Sequence, residues 1–114
     1  MSDCLFCKMI NGEIKPDVVL EAKDVLAFRD INPQAPTHVL VVPKEHIATI
    51  NDLDADHAAL IGKLYLAAKD IAAQEGLAET GYRTVMNCQE GAGQSVFHIH
   101  LHVLGGRRMH WPPG

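Results

Sequence analysis

The chain has no basic stripe. Its 10 lysines and arginines are outnumbered by 14 aspartates and glutamates, for a net charge of −4 with histidine neutral. Binding to polymeric nucleic acid is therefore not expected, although a small anion stays open, because a few local donors suffice to hold one phosphate. No apolar run reaches the roughly 18 residues that a membrane span needs, so no membrane association is expected. The first residues lack the charged-then-apolar pattern of a secretory leader, and a cytoplasmic location is expected. No repeat, low-complexity tract or linker divides the 114 residues, which read as a single domain over 1–114. Cysteine is scarce: the count is 3, and Cys4-x-x-Cys7 has no second Cys-x-x-Cys to complete a four-cysteine site. In a reducing compartment that spacing points to metal or redox chemistry more than to a structural disulfide.

Enough apolar residues are present, 47%, to build one core. Asp3 is expected to cap a short helix through Cys7–Ile10, which Asn11-Gly12 would stop. Short apolar runs at 17–21 and 25–29 suit a hairpin, and the run 37–42 reads as a strong third strand ending at Pro43. One long helix is predicted from about Asp54 to Glu75, with Asp52 or Asp54 at its start and Gly76 at its end. Leu60, Leu64, Ala67, Ala68 and Ile71 form its core stripe. Ile61, Tyr65, Leu66, Ala72 and Ala73 widen that arc, which reads either as a dimer interface or as a broad alanine-rich face. Strands at 82–87 and 98–104 complete five strands without βαβ alternation. The expected class is α+β, an antiparallel sheet with one long and one short helix.

The residues that carry chemistry lie in the last strand. His98, His100 and His102 alternate with Ile99, Leu101 and Val103. In an extended chain the three imidazoles share one face, about 6.6 Å apart, while Phe97, Ile99, Leu101 and Val103 pack inward. Two chemical readings follow. One imidazole acts as a nucleophile while its neighbours hold the electrophile or move protons, or the row chelates a catalytic metal. Just upstream, Gly91, Gly93, Gln94 and Ser95 form a loop able to cradle an anion. Such a loop beside imidazoles suggests a phosphate held against a histidine nucleophile, and a covalent intermediate that water then hydrolyses. For Cys4 and Cys7, histidines must complete any tetrahedral site; His46 and one histidine of the row are candidates, and a cysteine pair without metal is the competing reading. Cys88 is expected in the core, and His57 in solvent.

Residues 98–104 match His-φ-His-φ-His-φ-φ, with φ apolar, at every position. With 30–38, 93–96 and the closing 105–114 they resemble the histidine-triad (HIT) superfamily, and in particular its HINT branch, the histidine-triad nucleotide-binding proteins. The resemblance implies a HIT-like fold and a homodimer with one continuous ten-stranded sheet. It implies a purine nucleoside phosphoramidase, which cleaves the P–N bond of adenosine or guanosine 5′-phosphoramidates to a nucleoside monophosphate and an amine. AMP or GMP and their phosphoramidates would be the small-molecule partners. On this resemblance His100 is the nucleophile, His102 and Ser95 contact phosphate oxygens, and His38 supports the cluster. Asn87, Gly93, Gln94 and Val96 line the phosphate and ribose, Asp30 binds the ribose hydroxyls, and Phe28 and Ile31 flank the purine. Trp111 lies near a partner's pocket. Cys4, Cys7, His46 and His98 match the positions through which some relatives bind zinc; that zinc would be structural, with no cofactor needed for catalysis. The competing functions are a diadenosine polyphosphate hydrolase and a non-catalytic nucleotide-binding or scaffold protein.

Overall fold

The computed structural model describes residues 3–114. In chain order the elements are α1 (Leu5–Ile10), β1 (Val18–Glu21), β2 (Val25–Arg29), β3 (Thr37–Pro43), α2 (Ala58–Gln74), β4 (Tyr82–Val85) and β5 (Leu101–Gly105). The five strands form one antiparallel sheet in the order β1-β2-β3-β5-β4. The α+β class, the five strands and the long helix agree with the sequence reading.

Alternation along the central strands divides the sheet into two faces. Val25, Ala27, Val39, Val41, Leu101 and Val103 pack beneath Leu64, Ala67, Ala68 and Ile71 of α2. Leu26, Phe28, Leu40 and Val42 face the other way and meet Phe6 of α1. The histidines share this second face, where Phe6 packs on the rings of His98 and His100. The same period-2 pattern thus supplies a dry core on one side and a histidine-lined surface on the other.

Four local expectations are corrected. Cys4, not Asp3, is the N-cap of α1: its Sγ accepts from the Cys7 N–H at 3.4 Å. Helix α2 starts at Ala58 rather than Asp54, because two capped 3-10 turns, Ile50–Asp52 and Ala55–His57, use the aspartates first. His57 is not simply solvated; its Nδ1 accepts from the Asp54 N–H at 3.1 Å, and its Nε2 faces Glu45 Oε2 at 3.2 Å. Cys88 is half-buried rather than in the core.

The histidine strand is also shorter than its pattern suggested. Pairing of β3 with β5 ends at Val41↔Leu101; continued, the same register would set Pro43, which has no N–H to give, opposite Ile99. The Pro43 carbonyl is taken instead by His98 Nε2–H at 2.8 Å, and Ile99 N–H turns to Ile47 O at 2.8 Å. Residues 96–98 bend there, which leaves Phe97 45% exposed instead of packed inward. Alternation nevertheless persists: Ile99 is buried in the α2-side core while His98 and His100 face Phe6.

Leu64 and Leu66 separate the roles of the broad helix. Leu64 is fully buried and Leu66 is 60% exposed. Leu64→Ala is expected to cost about 3–5 kcal/mol through the cavity it leaves, whereas Lys69→Ala, at an exposed position of the same helix, is expected to cost less than about 1 kcal/mol. Urea denaturation measured at one protein concentration checks the contrast.

Candidate active site and metal centre

Each imidazole at the site has one ring nitrogen committed to a neighbour, and that commitment fixes what the other nitrogen can do. His100 Nδ1–H donates to the His98 carbonyl at 2.8 Å. Its Nε2 therefore carries the lone pair. His38 Nδ1 accepts from the Gln34 backbone N–H at 3.0 Å, so His38 carries its proton on Nε2. That nitrogen lies 2.9 Å from His102 Nδ1, to which its proton points, and 3.4 Å from Asp30 Oδ2. His102 then accepts at Nδ1 and presents Nε2–H. The cross-strand neighbours explain the placement, since β3–β5 pairing sets Leu40 opposite His102 and His38 opposite Leu104.

A cavity of about 360 Å³ opens onto this cluster. His100 and His102 line it with Asp30, Ser95 and Val96, and Phe28 and Ile31 form part of its apolar wall. His38 stands behind His102, buried. Ile31 is 99% exposed and sits at the rim. Sequence reasoning missed the opposite wall, which comes from Leu5, Phe6 and Met9 of α1 and from Ile14, Lys15 and Pro16 after it. The sequence signal for that wall was the apolar spacing of Leu5, Phe6 and Met9 around the short N-terminal helix.

Asn87, Gly93 and Gln94 are not among the cavity-lining residues. Gln94 is buried and its side-chain amide is fully used within the chain: Oε1 accepts from Gln89 N–H at 2.7 Å, and Nε2 donates to Ala48 O at 2.7 Å and Val96 O at 3.1 Å. Gln89 is held at φ 73°, and Gly93 turns the loop at φ 93°. These residues shape the loop that delivers Ser95 and Val96. Trp111 is 82% exposed.

The four cysteine and histidine residues singled out in the sequence do converge. Their ligand atoms all lie within 4.8 Å of one another. Cys4 Sγ is 3.4 Å and Cys7 Sγ 3.6 Å from His98 Nδ1. His46 Nδ1 is 3.3 Å from Cys7 Sγ and 3.1 Å from His98 Nδ1. A tetrahedral zinc ion with ordinary Zn–S and Zn–N bonds separates its ligands by about 3.3–3.8 Å. Because His98 Nε2–H is spent on the Pro43 carbonyl, its Nδ1 lone pair faces the cluster, the orientation a metal requires. Asp30, His38 and His102 form a second group within the same distance limit, but their chemistry differs. His38 Nδ1 already accepts a backbone N–H, so its Nε2 bears the proton and offers no lone pair to a cation.

Burial lowers the pKa of His38, His98 and His100. His102 is pushed down to about 4, by burial first and then by His100 and His38. Asp30 opposes the shift at His38, His100 and His102. All four imidazoles are thus held neutral at neutral pH. For a group whose folded pKa lies below its unfolded value, the unfolded chain binds the proton more readily, and stability falls as pH falls. For His102 that window runs from 6.5 down to about 4. With chelator present throughout, the urea midpoint is expected to drop across this window. His102→Asn is expected to flatten the drop.

Comparison with known proteins places the chain in a family. Residues 11–109 match the HIT domain. The purine nucleoside phosphoramidase of Escherichia coli K12 is 50% identical over 105 residues, 92% of this chain and 88% of that protein. A 14 kDa zinc-binding protein of Zea mays is 50% identical over 115 residues, 99% of this chain and 89% of that one. Among solved structures, a HIT family hydrolase from Legionella pneumophila superposes with a TM-score of 0.97 at 59% identity, covering 98% of this chain and 100% of that chain. With the family model spanning residues 11–109 and the fold matched over 98% of its length, the chain belongs to the HIT domain family.

Proposed function

We propose that this protein hydrolyses the P–N bond of purine nucleoside 5′-phosphoramidates through a covalent nucleotidyl-histidine intermediate on His100. One observation carries the reading: His100 donates Nδ1–H to the His98 carbonyl and so keeps a basic Nε2 on a ring that lines the cavity. The phosphoramidase name of the Escherichia coli relative points the same way.

The chemistry follows from the proton positions. An entering phosphoramidate places negative charge beside the His38–His102 pair, which already faces Asp30. Two nearby anionic groups draw one proton onto that pair. The His100 Nε2 lone pair attacks phosphorus, the P–N bond breaks, and the leaving amine takes the proton from His102. The new N-linked imidazolium keeps its Nδ1–H on the His98 carbonyl. Water then attacks phosphorus and gives its proton back to the neutral His38–His102 pair. The P–Nε2 bond breaks and nucleoside monophosphate leaves. Splitting one displacement into two lets a single imidazole serve both.

In this reading Ser95 adds a donor to the phosphate, and the backbone near Gly93, Gln94 and Val96 shapes the phosphate side with Asn87 behind it. Asp30 is shared between the ribose hydroxyls and the His38–His102 pair. Phe28 and Ile31 flank the base. Cys4, Cys7, His46 and His98 would hold zinc, which would supply a rigid tie between α1 and the sheet, its four protein ligands leaving no open position. We also propose a homodimer with a continuous ten-stranded sheet. Tyr65 and Leu66 on α2 and Tyr82 on the edge strand β4 are exposed on the single chain, which supports a covered face there. Among the described residues no helix is long and apolar enough to cross a membrane.

His100→Ala is expected to lower hydrolysis of an adenosine 5′-phosphoramidate by at least about a thousandfold while AMP still binds. Mass spectrometry of rapidly acid-quenched wild-type enzyme is expected to show the nucleotidyl adduct on His100. Undiminished turnover in the variant would remove His100 as nucleophile, and faster turnover of a dinucleoside polyphosphate would reassign the substrate. Light scattering is expected to give twice the chain mass.

A further inference from the structure

We infer that Phe6 is a positioning residue that couples the Cys4–Cys7–His46–His98 centre to His100, so that metal occupancy sets the affinity of the nucleotide cavity. The inference rests on the nucleotide reading above and adds regulation to it.

The first observation is where Phe6 sits. It lies between Cys4 and Cys7 in sequence, on the single turn of helix that both cysteines anchor. Its ring is buried and touches three others edge-on. It meets His98 at 5.8 Å and 78°, His100 at 5.1 Å and 79°, and Phe28 at 5.4 Å and 62°. One side chain therefore contacts a ligand of the metal cluster, the nucleophile's ring and the aromatic wall of the cavity.

The second observation is the fragility of its support. Helix α1 has 6 residues, well below the roughly 12–15 that an isolated helix needs to persist in water. Its place depends on tertiary anchors, among them buried Phe6, the partly buried Met9 and Ile10, and the two thiol side chains. Leu5 and Met9 of the same helix line the nucleotide cavity. Ser95 and Val96 line both that cavity and the hollow beside Cys4 and His46. A metal ion that fixes Cys4 and Cys7 against His98 fixes Phe6 against His100 and sets one wall of the cavity. Without the ion, the wall must be ordered by the nucleotide, and part of the binding free energy goes to that ordering. Linkage then makes the effect reciprocal: the nucleotide must tighten the metal by the same factor.

Calorimetry with AMP on zinc-loaded and chelator-treated protein tests this, with circular dichroism to check that the treated chain stays folded. Zinc loading is expected to tighten AMP about fivefold or more. AMP is expected to tighten zinc, read by chelator competition, by the same factor. Phe6→Ala is expected to keep one zinc per chain yet bring both factors close to one, and Phe6→Leu to restore part of them. Equal AMP affinity with and without zinc, or an undiminished factor in Phe6→Ala, would overturn the coupling. No AMP binding to zinc-loaded wild type would instead overturn the nucleotide reading. Should the chelated chain lose its fold, His46→Ala, which removes the exposed ligand, supplies the metal-poor state. In zinc-loaded protein, Phe6→Ala is also expected to lower kcat by more than it raises KM and to shift the His100 imidazole 15N signals. A change in KM alone, with those signals unmoved, would show Phe6 to be only a wall.

Discussion

Three hydrogen bonds between imidazole rings and the main chain govern this site. His98 gives its Nε2 proton to the Pro43 carbonyl, His100 gives its Nδ1 proton to the His98 carbonyl, and His38 receives the Gln34 N–H. Each bond costs little to make within the folded chain and fixes a tautomer that solution would leave mixed. Chemically identical side chains thereby acquire different tasks. His98 turns a lone pair to the thiol side chains, His100 turns one to the cavity, and His38 turns a proton to His102. Burial reinforces the division by holding all of the rings uncharged at neutral pH.

The sheet makes those bonds available. Pairing of β3 with β5 brings His38 beside His102 across 64 residues of sequence. Where the pairing stops, the Pro43 carbonyl and the 96–98 bend supply the acceptor and the slack that His98 needs. The other face of the same strands is closed by α2. The bidentate contact of Arg29 with Glu75, at 3.0 and 3.1 Å, ties the end of that helix to the end of β2, next to Asp30. The dry face and the polar face are thus two products of one alternation.

Much of this could be read from the sequence. The alternation of His98, His100 and His102 with apolar residues showed their common face. The Cys4-x-x-Cys7 pair, with no further cysteine motif, required histidines, and His46 and His98 do meet it. What could not be read lay in features without periodicity. The early end of the histidine strand depends on which β3 residue faces Ile99, and register is a property of two strands rather than one. The cap of α1 falls to a thiol because Cys4 is drawn toward His98, a contact 94 residues distant in sequence. The α1 wall of the cavity escaped notice because Leu5, Phe6 and Met9 look like ordinary helix packing until the sheet is placed beneath them. Gln94 looked like a ligand-binding donor, yet its amide atoms are used on the main chain at residues 48, 89 and 96.

That use of Gln94 has a consequence for association. A glycine-bearing turn is normally a floppy receptor, which an incoming anion must freeze. Here one buried carboxamide clamps residues 48, 89 and 96 at once. The rotational freedom of the segment is surrendered when the polypeptide folds, so the stretch that brings Ser95 and Val96 to the cavity is already set in the folded chain.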